Sequence, residues 1–233
     1  MREPELHVLA PPGQVRAVAL LLHGGREVGT TPVRATQLAV LRMTPFAASL
    51  RRAGREHGLV VARLRYLVRG WNGTARSPVP DVEWALDQLT ARFGPAPISL
   101  VGHSMGGRAA TYAAGHDAVR AVVGLAPWLE RDDPVAPLAG RHVLVAHGQR
   151  DQATSPQAAA AWVRQVSDVA ASAGFVAIKD EGHAMLRRAP VWHTLTTDYV
   201  LAVLCAVPTP EKRRSPAAHV VAKVLAGDAS LVV

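Results

Sequence analysis

Three residues carry the types and the order that nucleophilic catalysis requires: Ser104, Asp151 and His183. Ser104 is the centre of Gly102-His103-Ser104-Met105-Gly106, which fits G-x-S-x-G. An apolar strand-like run, Ile98-Ser99-Leu100-Val101, precedes this stretch, and residues 108–114 follow it with helical propensity. A strand that turns at once into a helix strains the central residue, and small neighbours at Gly102 and Gly106 make room for the turn. The serine hydroxyl would then stand clear of the sheet at the positive end of a helix, where a nucleophile and a developing oxyanion are both served.

An activated serine needs a base within hydrogen-bond reach, and the base needs an acid to orient it. In an open α/β sheet such groups lie in loops beyond the carboxyl ends of the strands. Asp151 closes His147-Gly148-Gln149-Arg150-Asp151, directly after the run Val143–Ala146. His183 lies in Glu181-Gly182-His183-Ala184-Met185, past the run Gly174–Ile178. Glu130, Asp132 and Asp133 are rival acids after the preceding strand, whereas Asp180 and Glu181 are too close to His183 in sequence to be comfortable partners. His103 and His147 read as packing residues beside the functional ones.

The elements that must position these groups alternate between apolar runs and helical segments, the pattern of a mostly parallel sheet covered on both faces. Strands are expected at 15–22, 59–64, 98–101, 120–125, 141–146 and 174–178. Helices are expected at 44–57, 81–93, 155–173 and 190–207, with Thr44-Pro45 and Ser155-Pro156 as cap and first residue. A single α/β domain over 1–207 and a C-terminal tail over 208–233, Pro- and charge-rich and then mildly helical, complete the expected organisation; a loosely attached tail and a helix docked on this domain or on a partner are the alternatives for it. The polar segment 29–42 has no assignment beyond room for a small lid.

The order Ser, Asp, His, together with the elbow, resembles the α/β-hydrolase superfamily over about residues 6–205. The resemblance implies Ser104 as nucleophile, His183 as general base and then acid, and Asp151 as orienting carboxylate. His23-Gly24-Gly25 resembles the family's oxyanion loop. This implies donors from the backbone N–H of Met105 and of Gly25, with Arg26 as the alternative to Gly25. Arg69-Gly70-Trp71-Asn72-Gly73 resembles a site-bordering loop, and Trp71, Trp128 and Met185 are candidates for an apolar wall against the substrate.

Composition narrows the chemistry further. The chain has 233 residues, of which 49% are hydrophobic and 5% aromatic, with a net charge of +8. The basic residues are scattered and few aromatics accompany them, so a nucleic-acid partner is not expected. No apolar run approaches the ~20 residues that span a bilayer, the polar start does not read as a secretory leader, and one cysteine leaves no internal disulfide. A cytoplasmic protein is expected, with no membrane or nucleic-acid partner and an open oligomeric state. About 15 residues between the strands near 125 and 141 leave no space for a helical cap, and no metal or other cofactor is expected. The expected activity is hydrolysis of small or medium carboxylic esters through an acyl-enzyme. Thioester hydrolysis on the same machinery and a non-catalytic binding protein of the same fold are the alternatives. A histidine base also implies activity that falls as pH drops and the imidazole is protonated.

Overall fold

The computed structural model describes residues 3–207, 216–227 and 230–233. Eight strands form one sheet: β1 (Glu5–Leu9), β2 (Ala17–Leu22), β3 (Leu59–Arg65), β4 (Ile98–His103), β5 (Val119–Leu125), β6 (His142–Gly148), β7 (Ser172–Ile178) and β8 (Ser230–Val232). Their spatial order is β1-β3-β2-β4-β5-β6-β7-β8, parallel throughout except for the antiparallel pairing of β1 with β3.

The helices are α1 (Leu38–Leu41), α2 (Thr44–Gly54), α3 (Pro78–Phe93), α4 (Met105–Ala113), α5 (Pro156–Val166), α6 (Ala189–Cys205) and α7 (Pro216–Leu225). All six residues of β2 are buried, as a central strand covered on both faces demands. Alternation divides its side chains between two cores. Val18, Leu20 and Leu22 join Leu86 and Leu89 of α3, Ala109 of α4 and Trp162 of α5. Ala17, Ala19 and Leu21 join Leu50 of α2, Trp192 and Tyr199 of α6, and Val221 of α7. The result is a three-layer α/β/α sandwich whose parallel strands all deliver their carboxyl ends to one edge.

Several boundaries differ from expectation. The helix opened by Ser155 ends at Val166, not at 173. Pairing of His142 with Ser172 draws residues 172 and 173 into β7 instead. α3 begins at Pro78, three residues early, because Pro78 is tolerated in a first helical turn whose N–H groups have no helical partner. The edge strands β1 and β8 and the short helix α1 were not expected. The expected tail starts at 208, and residues 208–215 lie outside the described residues. Beyond them α7 buries Val220, Val221 and Val224, and β8 adds to the sheet beside β7.

Residues 125–142 connect β5 to β6 through a single 3-10 turn, Ala136–Leu138, and no separate cap domain stands on the sheet among the described residues. Among the described residues no helix is long and apolar enough to cross a membrane.

Candidate active site

Ser104 sits between β4 and α4 with φ 55° and ψ −119°, a region costly for any residue with a side chain. The surroundings hold it there. Its N–H donates to Leu125 O at 3.1 Å, and its carbonyl accepts from Trp128 N at 3.1 Å and Gly107 N at 3.0 Å. The turn is closed so tightly that a Cβ on Gly102 would lie 2.3 Å from Gly106 O, and one on Gly106 would lie 2.5 Å from Leu22 O. Both glycines are therefore steric requirements of the elbow. The side chain of Ser104 remains partly exposed.

The loops after β6 and β7 bring the other two residues together: His183 Nδ1 lies 2.9 Å from Asp151 Oδ2. Asp151 also accepts from Ala153 N (2.8 Å), Thr154 N (3.1 Å) and Thr154 Oγ1 (3.0 Å). Burial alone would raise its carboxyl pKa, but the hydrogen bonds from His183, Thr154 and Ala153 more than offset this and hold it at about 2. Asp151 is thus a fixed anion with its acceptor positions filled. His147 is fully buried, with Nδ1 3.6 Å from Asp151 Oδ2, and burial lowers its pKa so that the imidazole stays neutral.

The loop carrying His183 is itself tied down by Glu181, which accepts from Gly182 N (2.9 Å), Arg188 N (2.7 Å) and Trp192 Nε1 (3.3 Å). His103, adjacent to Ser104, joins this loop to the elbow: its Nε2 donates to the carbonyl of His183 at 3.1 Å, with ring centroids 4.8 Å apart. Two of the rival acids are engaged elsewhere. Asp133 accepts from Arg108 Nε (3.0 Å) and Nη2 (2.8 Å) and from Tyr112 Oη (2.8 Å), and Glu130 accepts from Arg108 Nη2 at 2.5 Å.

The loop after β2 faces the elbow closely enough that a Cβ on Gly24 would lie 3.3 Å from Ser104 Cβ, and one on Gly25 2.3 Å from Met105 Cε. Met105 opens α4, so its N–H has no partner within the helix. Arg26 N–H donates to Arg69 O at 2.9 Å and is committed there, which separates it from Gly25. His23 sets the conformation of the loop. Its Nε2 accepts from Tyr66 N at 3.3 Å, so Nδ1 carries the proton and donates to Gly24 O at 2.7 Å. Burial lowers the His23 pKa to about 4, which keeps this arrangement neutral and fixed.

Trp71 and Met185 are buried and Trp128 is half-buried. The Arg108 guanidinium lies 4.6 Å from the Trp71 ring centroid and 4.5 Å from that of Trp128, a cation–π contact with each. Segment 29–42 is fastened to the strand-exit loops: Gly70 N donates to Gly29 O (2.8 Å), Arg69 N to Thr31 O (3.1 Å), and Arg42 Nη1 to Ala184 O (2.5 Å). It forms a wall between β3 and the His183 loop. Leu38, Leu41, Val28 and Leu186 are exposed on these segments. Thr154 and Glu181 carried no motif signal of their own; each became recognisable as part of the site through its neighbours in space.

Comparison with known proteins agrees with this architecture. A family model described as the alpha/beta hydrolase fold matches residues 68–139. The lidless α/β serine hydrolase XC6422 from Xanthomonas campestris is 20% identical over 88% of this chain and 91% of that one, with a TM-score of 0.62. Est1E from Butyrivibrio proteoclasticus is 15% identical over 84% and 92%, with a TM-score of 0.63. A monoacylglycerol lipase from Paleococcus ferrophilus is 15% identical over 85% and 99%, with a TM-score of 0.59. No curated protein matches the chain. The chain has the α/β-hydrolase fold.

Proposed function

We propose that the protein is a serine hydrolase that cleaves carboxylic esters of small or medium size through an acyl-enzyme. The observation that carries this reading is the 2.9 Å hydrogen bond between His183 Nδ1 and Asp151 Oδ2 in loops at the same sheet edge as the strained Ser104. With Nδ1–H donating to Asp151, the free basic nitrogen of His183 is Nε2, the atom that takes the Ser104 proton.

Ser104 Oγ attacks the ester carbonyl carbon as its proton passes to His183 Nε2. The tetrahedral oxyanion accepts hydrogen bonds from the N–H groups of Met105 and Gly25. Collapse breaks the bond to the alcohol oxygen, which leaves with the proton from His183, and the acyl group stays on Ser104. Water then loses a proton to Nε2 and attacks the acyl carbon, and the second collapse returns that proton to Ser104. Asp151 stays ionised throughout and stabilises the imidazolium.

The exposed apolar residues Val28, Leu38, Leu41 and Leu186 on the bordering segments favour a substrate with an apolar portion. In this reading Trp128 meets the substrate, while Trp71 and Met185 back that wall from the core. The test is hydrolysis of p-nitrophenyl esters from acetate to palmitate by wild type and Ser104→Ala. A preference for the shorter chains, abolished in Ser104→Ala, is the expected result; hydrolysis retained in the variant refutes the assignment of the nucleophile.

A further inference from the structure

A cavity of about 310 Å³ lies between the segment around α1 and the C-terminal halves of β2 and β3. Its volume is at the lower end of the range typical of small-ligand sites. Part of its lining is apolar and includes Leu21, Leu41 and Met43. The rest of the lining includes charge that is only partly compensated. Arg65 pairs with Glu5 and donates from Nη1 to Val33 O at 2.8 Å, so both of those groups are satisfied.

Arg63, also in the lining, has no carboxylate within ion-pair distance among the described residues. Its Nη1 donates to Thr44 Oγ1 at 3.0 Å, whereas its Nε is buried without a hydrogen-bond partner. A buried donor left unpaired is costly and calls for an acceptor. With Nη1 on Thr44, the donors left without a partner among the described residues are Nε and Nη2, which share one edge of the guanidinium. Two parallel N–H groups on that edge match the two oxygens of a carboxylate.

We propose that this cavity is a binding site for an aliphatic monocarboxylate of medium chain length. The carboxylate lies on the Nε–Nη2 edge of Arg63, and the chain covers Leu21, Leu41 and Met43. Such a ligand belongs to the chemical class of the acid that ester hydrolysis would release. The site itself stands on the cavity and its charge, independent of the hydrolytic reading. His23 lines the same cavity and holds Gly24 O, so the occupied site would adjoin the loop that faces Ser104.

The experiment is isothermal titration calorimetry of the full chain with octanoate, 1-octanol, acetate and inorganic phosphate. It compares wild type with Arg63→Gln, Leu41→Glu and Ser104→Ala. Leu41 is half exposed, so a carboxylate there repels the ligand without disturbing the core. Octanoate is expected to bind wild type and Ser104→Ala equally, and to weaken by about tenfold or more in Arg63→Gln and in Leu41→Glu. Octanol, acetate and phosphate are expected to bind at least tenfold more weakly than octanoate. Undiminished octanoate binding in both Arg63→Gln and Leu41→Glu would overturn the assignment, as would no binding to wild type. Equal binding of octanol or phosphate would overturn the ligand class. Loss of binding in Ser104→Ala would place the carboxylate at the nucleophile instead and equally refute the site.

Discussion

His103 Nε2 donates to the carbonyl oxygen of His183 at 3.1 Å, so the residue preceding the proposed nucleophile grips the backbone of the proposed base. The two loops come from β4 and β7, which are separated in the sheet by β5 and β6. In the proposed mechanism, a direct tie between them fixes the distance on which proton transfer would depend. Conversion of His103 to alanine removes the tie and leaves no donor in its place. The expected outcome is a fall in kcat of about 10- to 100-fold with a smaller change in KM, because a misplaced base impairs the reaction more than binding. Steady-state kinetics on a p-nitrophenyl ester measure this. A kcat within twofold of wild type would show that the tie does no positioning.

The same histidine contributes to acid sensitivity. Burial lowers the pKa of His103 to about 3 and that of His23 to about 4, against 6.5 for a free imidazole. Below pH 6.5 the unfolded chain takes up protons that the folded chain refuses. Stability from these two groups is complete above that pH and is lost as pH falls toward 4 and 3. Replacement of His103 by asparagine should lower Tm at pH 7.5 yet reduce the drop in Tm between pH 7.5 and 4.5. Scanning fluorimetry at both values tests the sign; an undiminished drop would mean that His103 is already protonated in the fold.

Asp151 acts in a lower window. Its pKa of about 2 lies below the ordinary 3.8, so its contribution is present above about pH 4 and disappears as pH falls toward 2. Asp151→Asn should preserve the fold, because its backbone donors still find an acceptor. It should lower kcat by roughly 10³–10⁴-fold, by analogy with the loss of the orienting carboxylate in serine proteases. Activity within tenfold of wild type would direct attention to another acid.

Asp133 provides the complementary control. It is buried against Arg108, and its removal leaves a guanidinium that is itself buried with only the exposed Glu130 as a counterion. Asp133→Ala should cost about 3 kcal/mol, a loss of roughly 6–12 °C in Tm. Ester hydrolysis measured well below that Tm should persist. A stable but inactive variant would make Asp133 a functional acid.

The contrast between Asp151 and Asp133 shows how far the sequence could be read. The elbow was legible because Gly102 and Gly106 are steric requirements that leave a local pattern. The central strands were legible because burial on both faces makes them continuous apolar runs, as in Val143–Ala146. β1 left no such trace: five residues at the sheet edge, half exposed, owe their conformation to pairing with β3. β8 is three residues long and depends in the same way on β7. The end of α5 was misplaced because Ala170–Ala173 suits a helix locally, and only the register with β6 makes Ser172 a strand residue. Thr154 was overlooked because a threonine three residues beyond an aspartate is unremarkable until its hydroxyl is seen on that carboxylate.

The central claim is that Ser104 is a nucleophile activated by His183. Its most direct test is to treat folded wild type, Ser104→Ala and His183→Ala with a fluorophosphonate probe, then to measure intact mass and map the adduct. One adduct per chain on Ser104 is expected, with none in Ser104→Ala and labelling of His183→Ala slowed by at least about 100-fold. A folded wild-type protein that stays unlabelled, or an adduct on any other residue, would contradict that claim.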